Sequence, residues 1–239
     1  MHSSITAKLK LHTTPEQFSA LRQTQLAYRD ALNYVSRYAF AHGKMSNKVG
    51  LQEGTYLDIR TRFGLPAQMA CSVPRQVGAT YKTLWTKLKA NTAARAAGYT
   101  KKHYSGLDAT PKYISPTLTY QLGHDYGFKT GQQVSIRTLE GRVIVLYTGY
   151  NRHVALIQHG AHIGAAKLWY DKPRQQFYLL VSLEAEVTDP SPETHRRIVG
   201  VDVGRRYLAV ATDMLNHTTF HRGQQVQAQA DHYTRLRKR

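Results

Sequence analysis

The most informative segment of the chain lies near its C-terminal end and reads Ile198-Val-Gly-Val-Asp-Val-Gly-Arg-Arg-Tyr-Leu-Ala-Val-Ala-Thr212, with Asp213 next. Apolar residues on both sides of Asp202 predict a short buried strand, and Gly204 supplies a turn before a second strand begins at Tyr207. A carboxylate at the end of a buried strand is costly unless a cation or a hydrogen-bond donor meets it. Asp202 is therefore the first candidate metal ligand and catalytic residue.

Two superfamilies place an aspartate in such a strand-turn-strand setting. RNase H-like (RuvC) nucleases use it to hold catalytic Mg²⁺, whereas actin-like and sugar-kinase ATPases turn it towards a metal-nucleotide. The ATPases usually follow Asp-x-Gly with small hydroxyl residues, but Arg205 and Arg206 occupy those positions here. The sequence favours the nuclease, and an aspartate that merely caps a turn stays open as the structural alternative.

The charge of the chain indicates its partners. Its 239 residues include 33 Lys and Arg against 15 Asp and Glu, a formal net charge of +18. The basic residues are interleaved with 16 Tyr, whose rings can stack on nucleobases, so nucleic acid is the expected partner. A membrane surface is the weaker candidate, because no long basic helix with a large apolar face is evident.

Other potential sites are weaker. The single cysteine, Cys71, excludes an internal disulfide and a cysteine-rich zinc site, and is typical of a reducing cytoplasm. His159 and His162 have no third ligand nearby, so we interpret them as barrel-end residues. Without a signal peptide or a membrane-spanning apolar run, we expect a cytoplasmic, nucleoid-associated protein with no membrane partner.

The N-terminal part of the chain predicts a strand and a long helix. Residues 4–11 alternate apolar and polar side chains, which indicates a half-buried strand with a basic outer face. Thr14, Pro15 and Gln17 together predict a helix start with a capping box, and Gly43 ends that helix.

Two further helices are predicted before the strand-rich half of the chain. The second covers residues 50–62, and the third begins at Ala67 and contains Pro74, where we expect a kink or a restart. Its polar, basic face is either an ordinary solvated surface or a nucleic-acid contact. Residues 91–104 have little apolar content and predict a mobile basic loop that orders on nucleic acid.

The following residues predict an antiparallel barrel. Runs rich in β-branched and aromatic residues predict strands over 114–122, 134–139, 142–147, 153–158, 165–170 and 176–183, with a turn over 149–151. With the N-terminal strand they suggest a small barrel of OB-like type, into which the helices are inserted. A Pro-rich linker then leads to the two strands around Asp202, a further strand over 217–221 and a basic helix from Gln224.

These features resemble the TnpB (OrfB-type) proteins of insertion sequences, which are similar to the type V CRISPR effectors. The specific match is Gly200-Val-Asp-Val-Gly204 with Ala209 and Asp213, which resembles the opening RuvC motif of that family. Leu65-Pro-Ala-Gln-Met69, the segment 79–85 and the basic C-terminal helix are also similar to it. The resemblance covers the whole chain, although only the region around Asp202 is specific by itself.

The resemblance implies an α+β fold with four parts. Residues 1–12 and 106–187 would form an OB-like antiparallel β-barrel, the wedge domain, and residues 13–105 an inserted helical recognition domain. Residues 188–195 would be a linker. Residues 196–239 would be the first strands of an RNase H-like (RuvC) nuclease domain.

The family also implies a function, which is RNA-guided, Mg²⁺-dependent cleavage of DNA by a transposon-associated protein. Its partners would be a guide RNA and a double-stranded target DNA, with sequence read by base pairing. Asp202 would be a catalytic residue and a ligand of the metal. The expected nucleic-acid-binding residues are Gln68, Ser72, Arg75, Gln76, Lys82, Lys87, Lys101, Lys102, Tyr104, Arg205 and Arg206.

The chain departs from the family in its acidic residues. A two-metal site needs several carboxylates around ions about 4 Å apart, but only Asp213 and Asp231 follow Asp202. We interpret Asp213 as a turn residue and Asp231 as an ion-pair partner, so the Mg²⁺ site is expected to be incomplete and no zinc site is expected. The sequence thus resembles the N-terminal part of such an enzyme, whose further partner would be the C-terminal half of the nuclease.

Three functions stay open from the sequence. The first is the TnpB-like RNA-guided nuclease, and whether this chain is itself an enzyme stays undecided. The second is a nuclease-dead nucleic-acid-binding protein, such as a repressor or a transposition accessory protein. The third is a fragment of an actin-like ATPase.

Overall fold

A computed structural model describes residues 2–114, 117–186, 198–204 and 207–237. The chain divides into two compact units, which separate between residues 186 and 187. We call residues 2–186 the barrel-helix unit and the described residues from 198 onwards the C-terminal unit. The predicted linker over 188–195 lies outside the described residues.

The barrel-helix unit combines four helices with seven strands. In chain order they are β1 (His2–His12), α1 (Pro15–Ala41), α2 (Lys48–Arg62), α3 (Ala67–Ala96), β2 (Leu118–Tyr120), β3 (Tyr126–Lys129), β4 (Gln133–Arg137), β5 (Arg142–Thr148), α4 (Asn151–Gln158), β6 (His162–Asp171) and β7 (Gln176–Glu186). The strands form one sheet in the order β2-β6-β7-β1-β5-β4-β3, and all its ladders are antiparallel. The predicted α+β class is confirmed.

Buried tyrosines bring the two ends of this sheet together into a nearly closed barrel. The Tyr120 hydroxyl on β2 donates a hydrogen bond to the Arg137 carbonyl at the end of β4 (3.0 Å). The Tyr126 hydroxyl on β3 donates to the Gly164 carbonyl on β6 (2.6 Å). Because these bonds join edge strands to the far side of the sheet, the arrangement is consistent with the predicted OB-like barrel.

The start of α1 follows the predicted capping box. The Thr14 hydroxyl accepts from the Gln17 backbone N–H (3.3 Å), and the Gln17 side-chain oxygen accepts from the Thr14 N–H (3.1 Å). Two N–H groups that the helix cannot satisfy itself are thereby paired. The helix ends at Ala41, and Gly43 adopts a φ of +71° beyond it, as expected for a glycine at a helix end.

α3 is longer and more regular than the sequence predicted. It continues through Pro74 to Ala96, so the chain does not restart at the proline, and the predicted loop is wrong for residues 91–96. The Asn91 side chain on the last turns then fixes the following segment. Its amide donates to the Lys102 carbonyl (3.0 Å), and its oxygen accepts from the Tyr104 N–H (3.1 Å).

Two details of the barrel also differ from the prediction. Residues 153–158 form a helix, α4, and Asn151 begins that helix where a turn was predicted. Val154 and Ile157, three residues apart, are its buried side chains, a spacing that places both on one helical face. The short strand β3 was not predicted, and it is formed by pairing with β4.

The helices and the barrel share one hydrophobic core. Its members include Leu9 on β1, Leu32 on α1 and Val77 on α3, all fully buried. Burying one such side chain stabilises the fold by about 1.5–3 kcal/mol. The segment before β2 is fastened to α1 as well, because the Asn33 amide pairs with both backbone groups of Tyr113.

The C-terminal unit is a small sheet followed by a helix. Its elements are β8 (Val199–Asp202), β9 (Tyr207–Asp213), β10 (Thr218–Arg222) and α5 (Gln224–Leu236), with the strands antiparallel in the order β10-β9-β8. The predicted strands and helix are confirmed, but the predicted burial is wrong. Val199, Val201 and Val203 expose 53%, 60% and 77% of their surface, and no described residue of the unit is buried.

Candidate nucleic-acid interface

A polar groove of about 440 Å³ lies between the N-terminal third of α3 and the edge of the barrel. Its lining consists of Ser72, Arg75, Gln76, Thr117, Thr119, Gln121 and Lys167. All seven side chains are polar, two are cationic and none is acidic. Three of them, on α3, are residues that the sequence predicted to bind nucleic acid, so the structure joins that helical face to a second wall made by β2 and β6.

The predicted residues of α3 share one face of the helix. They are Gln68, Ser72, Arg75, Gln76, Lys82 and Lys87. With successive residues about 100° apart around the axis, all six lie within an arc of roughly 140°. The opposite face buries Ala70, Val77 and Tyr81 completely in the core. Packing of that apolar face therefore fixes which side of α3 meets solvent.

The side chain of Gln76 is oriented from beneath by Tyr28 of α1. The Tyr28 hydroxyl donates to Gln76 Oε1 (3.0 Å), and its ring is fully buried. Burial raises the pKa of Tyr28 well above its ordinary value, so the phenol keeps its proton and remains a donor. With Oε1 committed to Tyr28, the amide N–H groups of Gln76 are left to donate into the groove.

The two cations of the groove have no competing partner. Arg75 and Lys167 are exposed, and among the described residues neither forms a hydrogen bond or an ion pair. Ser72 is nearly buried and its hydroxyl donates to the Gln68 carbonyl (3.0 Å), so it can only accept from a ligand. The groove thus offers donors and positive charge to an anion.

The surroundings of α3 strengthen this positive field. No acidic residue occurs between Asp58 and Asp108. The basic residues between them are Arg60, Arg62, Arg75, Lys82, Lys87, Lys89, Arg95, Lys101 and Lys102. Arg62 pairs with Asp58 (3.6 Å), and the other basic side chains have no carboxylate partner among the described residues, so they attract polyanions to the helix.

Three other predicted residues lie at the far end of α3. Lys101, Lys102 and Tyr104 follow the helix, and Asn91 holds the last two by their backbones. Asn91 is about 24 Å from Arg75 along the axis at 1.5 Å per residue. The two lysines are exposed, whereas the half-buried Tyr104 ring packs on Gly106. They are not part of the groove, and Lys82 and Lys87 lie on the helix between the two sites.

Asp202 is exposed at the end of β8, where its backbone pairs with Val210 of β9. Within the parts of the chain that the structure describes, no three His, Cys, Asp or Glu side chains lie close enough to hold a metal ion. These residues alone do not fit a two-metal site, which needs several carboxylates. Arg205 and Arg206 lie outside the described residues.

The two acids after Asp202 have different environments. The Asp213 carboxylate accepts from the N–H groups of Leu215 and His217 (both 2.9 Å), which confirms it as a turn residue. These bonds, the His217 backbone bond first, lower the pKa of Asp213. Asp231 is exposed on α5, and the ion pair predicted for it is not formed among the described residues.

The two histidines and the cysteine that were weaker candidates for a functional site all lie in the barrel-helix unit. His162 lies 3.5 Å from Glu184, and His159 follows α4, so both are end-of-barrel residues as predicted. Cys71 is half-buried, and its sulfur lies 3.7 Å from the Gln52 amide. Among the described residues no helix is both long and apolar enough to cross a bilayer.

Comparison with protein-family models and with curated proteins found no match. The groove itself therefore carries the functional argument.

The barrel side of the groove was missed by the sequence analysis. Lys167 and Thr119 are cross-strand neighbours on β6 and β2, and Gln121 is held by Asp125. The Asp125 carboxylate accepts from the Gln121 N–H (3.0 Å). Alternation along β6 could have placed Lys167 on the outer face, but nothing in the sequence indicates which helix lies beside it.

Proposed function

We propose that this chain is a TnpB-like nucleic-acid-binding protein that holds guide RNA and target DNA through the groove and the exposed face of α3. The observation that carries the proposal is the groove itself, where Arg75 and Lys167 line the wall and neither has an acidic partner among the described residues. The resemblance of the sequence to the TnpB family supports the same function.

The donors of the groove suit a phosphate backbone. Arginine and lysine neutralise phosphates, and amide and hydroxyl groups add hydrogen bonds that fix the register of the bound strand. Gln76 offers amide N–H groups, and Thr119 a hydroxyl. Lys82 and Lys87 extend the contact along α3. If base pairing with the guide RNA selects the target sequence, the protein needs to recognise only the backbone and the shape of the bound nucleic acid.

The described residues of the C-terminal unit would supply one ligand of a nuclease site, and the remaining acids would have to come from elsewhere. Mg²⁺ would supply activation of the attacking water and charge stabilisation, and Asp202 is the one carboxylate that this chain would contribute. We derive no cleavage step for these residues. The exposed valines of β8 favour a covering segment, and the C-terminal half of the nuclease, carrying the remaining acids, is the partner we propose.

A second function is favoured by the same isolated carboxylate. A nuclease-dead binder, such as a repressor or a transposition accessory protein, needs the groove but no metal cluster. The two proposals agree on binding and differ on cleavage.

Binding is tested by fluorescence anisotropy of a labelled RNA and of an RNA-DNA heteroduplex of about 20 base pairs, at several salt concentrations. If about six phosphates are contacted, affinity falls roughly 10³-fold between 50 and 200 mM salt. Arg75→Ala and Lys167→Ala should each weaken binding and reduce the salt slope by about 1. Lys129→Ala removes a matched exposed charge at the end of β3 and should change neither the affinity nor its dependence on salt. Salt-independent binding would contradict both functions.

Cleavage separates the two functions. The chain with guide RNA, matched DNA and Mg²⁺ should cut nothing, and addition of the C-terminal half should restore cutting if the first proposal holds. Failure of that addition, with binding intact, would leave the nuclease-dead binder. Cutting by the chain alone would show that our account of Asp202 is wrong.

A further inference from the structure

The outer face of the barrel carries two aromatic rings among lysines. Trp169 on β6 and Tyr178 on β7 are cross-strand neighbours whose ring centroids lie 5.3 Å apart with a 30° tilt. The ammonium of Lys8 on β1 lies 4.8 Å from the Trp169 ring and 4.2 Å from the Tyr178 ring. Lys10 is the β1 neighbour of Tyr178. We call Lys8, Lys10, Trp169 and Tyr178 the aromatic-lysine strip.

This strip is continuous with the groove. Lys167, which lines the groove, precedes Trp169 by two residues on β6, so both side chains lie on the same face of the strand. Its partner Thr119 on β2 also lines the groove. From β2 across β6 and β7 to β1 is three strand spacings, or about 14 Å. A chain of a few nucleotides leaving the groove would therefore reach the strip.

The strip has the chemistry of a stacking platform. Both rings are only partly buried, and the Trp169 indole N–H has no hydrogen-bond partner among the described residues. Lys8 and Lys10 are exposed, and within the same described residues neither is paired with an acid. Flat aromatic rings beside unpaired cations bind single-stranded nucleic acids, because bases stack on the rings while the cations contact phosphates.

We propose that the aromatic-lysine strip binds an unpaired segment of the nucleic acid held in the groove. A base stacks on the Trp169 and Tyr178 pair, and Lys8 moves from the ring faces to a phosphate of the same segment. This inference rests on the proposed function and extends it from a backbone-binding groove to a site for single-stranded nucleotides.

Tryptophan fluorescence tests the stacking directly. The chain contains two tryptophans. Trp85 lies on α3 and donates its indole N–H to the Lys44 carbonyl in the connection between α1 and α2. In a Trp85→Phe protein the emission comes from Trp169 alone. Titration with oligouridylate and with oligothymidylate should quench it, and the two arms distinguish RNA from DNA. The same titration of Trp169→Phe should leave the emission of Trp85 unchanged.

Affinity measurements give the second readout. Loss of one stacked base weakens binding by about 5- to 160-fold. Trp169→Ala should therefore bind the oligonucleotides less tightly by that factor, and Trp169→Phe should lose less affinity. A blunt duplex without unpaired nucleotides should bind equally to all three proteins. Lys8→Ala, which leaves both rings in place, should weaken oligonucleotide binding and keep the quenching, and thermal melting checks that each variant is folded.

The outcomes distinguish the inference from the proposed function. If Trp169→Ala binds oligonucleotides like the unaltered protein while Arg75→Ala and Lys167→Ala still weaken duplex binding, the strip is not a binding site and the groove proposal stands. If the unaltered protein binds neither oligonucleotide nor duplex, both are wrong.

Discussion

The two units of the chain differ most in what they bury. In the barrel-helix unit, apolar side chains from the strands and from all four helices meet in one core and lose nearly all contact with water. In the C-terminal unit the side chains of Val199, Val201 and Phe220 remain more than half exposed. Since burial of apolar surface is the dominant favourable term in folding, the first unit has its own source of stability, and the described residues of the second show no comparable core.

The same contrast separates the two chemical roles. The groove and the aromatic-lysine strip belong to the unit with the core, where packing fixes the positions of Gln76 and Trp169. Asp202 belongs to the unit without one. The described residues therefore gather the candidate binding groups in the unit with a core, whereas nowhere among them do three potential metal ligands lie together.

The largest expected effect comes from separating the units. Residues 1–186 should fold cooperatively and bind nucleic acid as the whole chain does, whereas residues 196–239 alone should be unfolded, because none of their described side chains is buried. Circular dichroism with thermal melting measures both. A cooperative melting transition of the short segment would remove the contrast on which the partner proposal rests.

A smaller effect is expected from the hydrogen bond between Tyr28 and Gln76 beneath the groove. Tyr28→Phe removes the hydrogen bond to Gln76 Oε1 and should lower the free energy of unfolding by about 1 kcal/mol. It should also weaken nucleic-acid binding a few-fold, since the Gln76 amide is no longer oriented. Tyr113→Phe removes a comparable bond to Thr80 (2.8 Å) and should lower stability without changing binding. Equal binding losses in both variants would show that Tyr28 does not act through Gln76.

The smallest effects concern pH and have opposite signs in the two units. Burial raises the pKa of Asp125 in the barrel above its ordinary value of 3.8. As the pH rises above about 4, the unfolded state therefore loses this proton before the folded state does, and the free energy of unfolding decreases. Asp125→Asn should flatten that decline in urea unfolding curves.

Hydrogen bonds from His217 lower the pKa of Asp213. The turn that the Asp213 carboxylate forms should therefore persist at pH values above the ordinary pKa of an aspartate and be lost at lower pH. Amide exchange of Leu215 measures that loss, and a pH-independent rate after correction for intrinsic exchange would contradict it.

Local signals in the sequence predicted local structure well. The capping box at Thr14 and Gln17 depends on residues three apart, and the exposed face of α3 depends on helical spacing alone. The run from Asn91 to Ala96 was misjudged because its lack of apolar residues was given more weight than its alanines, which favour helix. The short run 153–158 was equally compatible with a strand and a helix.

Long-range packing was beyond the sequence. Nothing near Lys167 indicates that α3 lies beside it, so one wall of the groove could not be predicted. The burial of Asp202 was inferred from its apolar neighbours, but apolar residues alone do not reveal whether another layer covers them. Half of the candidate site was thus predictable from spacing, and the other half depended on how distant elements pack.

The position of β1 at the middle of the sheet has a consequence for how the protein is made. Ser4 pairs with Glu184, so β1 receives its partner on that side only after another 180 residues have been synthesised. At about 5–20 residues per second this takes roughly 10–35 s. During that interval β1 presents an open strand edge, and a chaperone that shields it would raise the yield of folded protein.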